Sequence, residues 1–132
     1  MKLDDVILAL EMTNDLSHAF YDLVTREIVW LDEYGLTREE YEATADTLDE
    51  HGFHRLPDQR EINEYGMMEA FAEAHNSSEL SYALLRKGAF RRFKDTVRHL
   101  GIEEEWYRFR DAEYMRVAQE WCEICGIELD SE

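Results

Sequence analysis

Proline is nearly missing from this chain: Pro57 is the only one in 132 residues. The six glycines are scattered, and no Pro-, Gly- or Ser-rich stretch reads as a linker. Repeats of fixed period are absent too, which excludes solenoids and propellers. Only two cysteines occur, Cys122 and Cys125. Two thiols three positions apart cannot staple a small secreted fold, so reduced thiols and a cytoplasmic setting are expected. No run of about 18 apolar residues exists, which excludes a membrane-spanning helix. Residues 1–5 (MKLDD) are acidic and lack the apolar stretch of a secretory signal. Basic side chains are scarce as well: 14 Lys and Arg face 31 Asp and Glu, for a formal charge of −17.

Apolar material is plentiful. Hydrophobic residues make up 45% of the chain and aromatic residues 12%. A chain of this length buries roughly two-thirds of its unfolded surface on folding, enough for a core. Disorder is therefore disfavoured despite the charge. The expectation is a single domain over residues 1–132.

The charge is uneven. Residues 1–80 carry 5 basic and 20 acidic side chains, while 86–98 carry Arg86, Lys87, Arg91, Arg92, Lys94 and Arg98 against Asp95 alone. So acidic a chain is repelled by DNA, RNA and anionic lipid at long range. The plain reading is a solvated surface that keeps the protein dispersed. The functional reading is an acidic face that docks a basic partner or imitates DNA.

Hydrophobic spacing gives the elements. Leu3, Val6, Ile7 and Leu10 predict a helix over 3–12. Residues 17–24 and 28–31 are rich in aromatic and β-branched side chains around a polar break, Thr25-Arg26-Glu27, and predict a hairpin. Thr37 and Glu40 form a capping-box pattern that opens a helix to about 50, with Tyr41, Ala45 and Leu48 inward. Residues 53–56 predict a third strand, stopped by Pro57. After that the chain reads as helical. One helix is expected over 59–75, with Ile62, Tyr65, Met68, Phe71, Ala72 and His75 on one face. A second should open at the capping pair Asn76 and Glu79, a third should carry Phe90, Phe93, Val97 and Leu100, and a fourth Trp106 and Phe109. A last helix carries Tyr114, Val117, Ala118, Trp121, Cys122 and Cys125. This is an α+β pattern: a small antiparallel sheet of about three strands in the N-terminal half (1–57), packed against a helical C-terminal half (58–132).

The string Gly88-Ala89-Phe90-Arg91-Arg92-Phe93-Lys94-Asp95, followed by Glu105-Trp106-Tyr107 and Trp121-Cys122, resembles the uncharacterised protein family UPF0158. A weaker match lies at 20–29, where Arg26 stands in place of a glycine in the hairpin turn. Cys122 replaces an apolar residue of the family pattern, which implies a packing role. The resemblance implies the same fold class and no assigned activity.

Four sets of residues have the chemistry of a site. Arg91, Lys94 and Arg98 fall at i, i+3 and i+7, with Arg92 beside them, a stripe able to grip phosphates. Against this, 31 carboxylates are at hand to neutralise it within the molecule, and Phe90 and Phe93 read as core. Cys122 and Cys125 match C-x-x-C, but they sit in a last helical turn, where the dipole opposes a thiolate, and no second Cys pair completes a zinc set; they read as packing. His51 and His54 point to opposite faces of a strand and do not share a metal. His18 and Asp22 lie on one face of the hairpin and would suit acid–base work. Trp30, Trp106 and Trp121 each fit an apolar face.

Nothing here implies a cofactor or metal. The reading is a small acidic, cytoplasmic, non-catalytic binding or adaptor module that holds a protein partner through its acidic surface or a groove between sheet and helices. The alternatives are nucleic-acid or anion contact through the basic helix 86–98, and a small enzyme with its site near the hairpin.

Overall fold

In the computed structural model, described for residues 1–14, 16–32 and 37–130, the N-terminal apolar spacing forms α1 (Leu3–Met12), which buries Val6, Ala9 and Leu10. Asp4 and Asp5 lie in its first turn, where negative charge suits the helix dipole. Three strands follow: β1 (Ser17–Asp22), β2 (Ile28–Asp32) and β3 (Phe53–Arg55). They form one antiparallel sheet in the order β2-β1-β3.

The chain divides into two compact units. The first comprises 1–62 and 115–132, the second 63–114. The sheet belongs to the first unit, together with α1, α2 (Arg38–Glu50), α3 (Gln59–Ile62) and the final turns of α7 (Glu103–Cys125). As the central strand, β1 is covered on both faces, so Ala19, Phe20 and Tyr21 are buried in succession. On one face Tyr21 meets Trp121 edge-on, with ring centroids 6.2 Å apart. The Trp121 indole N–H donates to the Arg55 carbonyl at 3.0 Å. On the other face His18 lies against Tyr41 of α2, 5.2 Å between centroids. Because α2 covers only this one patch, Tyr41, Ala45 and Leu48 are half-buried and none of its residues is fully enclosed. Thr37 caps α2 as expected, accepting from the Glu40 N–H at 3.1 Å.

The hairpin strand ends two residues earlier than the sequence predicts. The Asp22 carboxylate accepts from the Val24 N–H at 2.9 Å and from the Thr25 hydroxyl at 3.0 Å, folding Leu23 and Val24 into the turn. Arg26 then takes a left-handed conformation, φ 61°, where glycine would be unstrained.

The second unit holds α4 (Glu64–Ala74), α5 (Ser78–Ala83), α6 (Ala89–His99) and the first part of α7. Its core is aromatic: Phe71 has Phe93, Trp106 and Phe109 at centroid distances of 6.1, 5.4 and 5.5 Å. Met67, Met68, Leu80 and Val97 fill around them.

Three helix boundaries differ from expectation. The helix expected over 59–75 breaks at Asn63, which turns left-handed (φ 54°) and caps α4 by accepting from the Gly66 N–H. Asn76 ends α4 in a left-handed conformation rather than opening α5, which Ser77 caps through the Leu80 N–H at 3.2 Å. The two C-terminal helices are one, α7, because no glycine or proline interrupts residues 103–125. It closes at Gly126 with the Ile127 N–H bonded to the Cys122 carbonyl, a Schellman arrangement.

Candidate functional site

Gly88 fixes where α6 begins: at φ 77° it takes a conformation that side chains resist, and the basic string becomes helical directly after it. Only the middle of α6 is covered. Phe93 and Val97 are fully buried, whereas Phe90 in the first turn is 48% exposed and Leu100 at the C-cap is 38% exposed. The expectation that both phenylalanines of the string point inward therefore holds for Phe93 alone.

The outer face carries the positive charge. Arg91, Arg92, Lys94 and Arg98 are all exposed. Arg98 reaches Glu103 at 3.4 Å, an exposed pair. Among the described residues, no carboxylate lies within 4.0 Å of the charged groups of Arg91, Arg92 or Lys94. The intramolecular neutralisation expected from sequence is thus absent at these three. Asp95, the lone acid between 86 and 98, lies three and four positions after Arg92 and Arg91 on the same helix face, yet makes no ion pair with either.

Exposed aromatics extend this face. Tyr82 of α5 is 56% exposed, and the Arg86 guanidinium lies over its ring, 4.9 Å from the centroid, while donating to its hydroxyl. Between α5 and α6 runs a cleft of about 470 Å³ lined by Tyr82, Arg92, Thr96 and His99 together with the acids Glu79 and Asp95. Aromatic rings, guanidinium groups and an open cleft together suit contact with a partner molecule.

The remaining candidates separate. His18 lines a cavity of about 370 Å³ in the first unit with Arg38, Tyr41 and Arg55. Asp22 does not line it; its carboxylate is engaged in the turn. The acid–base pair suggested by their shared face is therefore not formed. Cys122 is buried and Cys125 half-buried, and burial raises both thiols above the ordinary cysteine pKa. That is the opposite of a reactive thiolate. The His51 Nδ1–H donates to the Thr47 carbonyl, whereas His54 lies in β3 opposite Tyr21. No group of three His, Cys, Asp or Glu side chains able to hold a metal is found among the described residues. Trp106 and Trp121 are buried, but Trp30 is 41% exposed, because it sits on the outer strand β2 opposite small Ala19.

Sequence reasoning missed two features. The exposed Tyr82–Arg86 pair spans the end of α5 and the turn after it, where periodicity is silent. The Glu64–Arg110–Tyr114 cluster joins residues 46 and 50 positions apart, with Arg110 and Tyr114 donating to the two Glu64 oxygens at 2.9 and 3.0 Å. Comparison of the chain with protein-family models, with curated proteins and with solved structures gives no match. No helix among the described residues is long and apolar enough to cross a membrane.

Proposed function

We propose that this chain is a non-catalytic protein-binding module of cytoplasmic type, and that the outer face of α6 docks an acidic segment of its partner. One observation carries the reading: Arg91, Arg92 and Lys94 stand unpaired in a molecule with a formal charge of −17. Holding like charges together on one helix face costs stability, and these three are not offset by pairing within the chain. Phe90 and Tyr82 add the apolar contact that isolated surface charges lack. Nucleic acid is the less favoured ligand, since an extended polyanion overreaches the stripe and meets the repulsion of a chain of −17, which a short acidic segment seated on α6 avoids. The resemblance of Gly88–Asp95 to UPF0158 belongs to the same proposal: the chain is taken as a member whose signature string forms this face.

The test is titration of a fluorescent polyglutamate peptide and of a labelled single-stranded RNA at about 50 and about 200 mM salt. Binding of polyglutamate that is lost in the R91Q/R92Q/K94Q variant supports the proposal. Preference for RNA through the same residues overturns the protein-partner reading. No binding of either at low salt overturns the site.

A further inference from the structure

The first unit has an exposed surface of its own at the outer strand of the sheet. The hydrogen-bond pattern shows which backbone groups it leaves free. Along β1, odd-numbered residues bond toward β3: Leu56 N–H to the Ala19 carbonyl at 2.9 Å and Leu23 N–H to the Gly52 carbonyl at 3.3 Å. The even-numbered residues therefore bond toward β2, as Asp22 N–H does to the Glu27 carbonyl at 2.9 Å. With Phe20 opposite Val29 and His18 opposite Leu31, the backbone groups of Ile28, Trp30 and Asp32 face away from β1. No backbone partner for them exists among the described residues.

The side chains of Ile28 and Trp30 share a face with Ala19 and Tyr21, their cross-strand partners. There they border a groove of about 420 Å³ against α1, lined by Leu8, Ala9, Asp5 and Glu27 together with Arg26 and Met1, whose ammonium is bonded to Asp130. Leu8 is 54% exposed and Trp30 41% exposed. A free row of backbone donors and acceptors beside an apolar groove is the geometry of strand addition, in which main-chain bonds give affinity and alternate side chains fill pockets.

We propose that the outer edge of β2 accepts an extended peptide segment as a fourth strand, with apolar side chains alternating with lysine or arginine. The alternation follows from the strand period of two: every second side chain enters the groove. The basic residues follow from charge complementarity, since residues 1–80 hold 20 acidic against 5 basic side chains, Asp5 and Glu27 of the groove among the acids and Arg26 among the bases. A second copy of this chain is the poorer occupant, because pairing two β2 edges brings together two chains of −17 each.

Amide hydrogen exchange followed by NMR tests this on the wild-type protein. The probe is a capped heptapeptide of alternating lysine and valine, KVKVKVK. In the free protein the Ile28 and Trp30 amides exchange fast while Val29 and Leu31 are protected. With the peptide bound, the Ile28 and Trp30 amides slow roughly tenfold or more. Asp5→Asn/Glu27→Gln weakens binding, and the glutamate counterpart EVEVEVE does not bind. Three results overturn the proposal: no change at Ile28 and Trp30, equal binding by a backbone N-methylated KVKVKVK, or protection of these amides without peptide that grows with protein concentration. The last would assign the edge to a second copy.

Discussion

Replacing Glu64 tests how the second unit is fastened. Glu64 is the first residue of α4 and its carboxylate is mostly enclosed, with 16% of the side chain exposed; Arg110 is 23% exposed. It takes the Arg110 Nε–H at 2.9 Å and the Tyr114 hydroxyl at 3.0 Å, while the Arg110 guanidinium lies 4.5 Å from the Tyr114 ring centroid. A hydrogen bond to a charged group contributes about 1.5–3 kcal/mol, and losing the carboxylate leaves a guanidinium poorly solvated. The two bonds share one acceptor group, so their effects do not add. Glu64→Ala is therefore expected to cost about 2–3 kcal/mol, Glu64→Gln about 1–2 kcal/mol, and Tyr114→Phe about 1 kcal/mol. In the E64A/Y114F double variant the total falls short of the sum by about 1 kcal/mol. Urea unfolding followed by tryptophan fluorescence measures all four, with Trp106 in the same unit as reporter. Additivity within about 0.3 kcal/mol, or a costless Glu64→Gln, would refute the shared-carboxylate account.

Three further outcomes are expected. Arg26 is left-handed at φ 61°, so Arg26→Gly should raise stability by about 0.5 kcal/mol, the relief of strain exceeding the entropy of a freer unfolded chain, whereas Arg26→Val should lower it by about 1 kcal/mol or more; thermal melts of the pair decide, and equal effects would refute the turn geometry. The Val24 N–H, and then the Thr25 hydroxyl, hold the Asp22 carboxyl below the ordinary aspartate pKa. Its contribution is present above the unfolded value and lost as pH falls below about 4 through the folded one, so wild type and Asp22→Asn should converge in stability on acidification; parallel curves would contradict this. At pH 7 a thiol reagent should label half-buried Cys125 before buried Cys122, and both more slowly than a free cysteine; fast labelling of Cys122 would contradict the packing role.

Local signals in the sequence carried much of the fold. The spacing of Leu3, Val6 and Leu10 set α1, Thr37 set the start of α2, and Gly88 and Gly101 set both ends of α6. What failed depended on neighbours distant along the chain. Periodicity marks Phe90 and Trp30 as apolar positions, but only the tertiary surroundings decide that Phe90 outlies the covered turn and that Trp30 faces a free edge. Asn63 broke a helix through its own capping side chain, a competition between local bonds that spacing does not register. At the candidate site the basic stripe was legible in full, but its freedom from carboxylates was not. Composition supplies acids in excess, and only geometry shows that none reaches Arg91, Arg92 or Lys94.

Equilibrium unfolding of the R91Q/R92Q/K94Q variant addresses that freedom most directly. If these cations are held clear of the molecule's own carboxylates, neutralising all three shifts stability by no more than about 0.5 kcal/mol. A loss of about 2 kcal/mol or more would mean they are bound within the fold, and the docking face proposed for α6 would not exist.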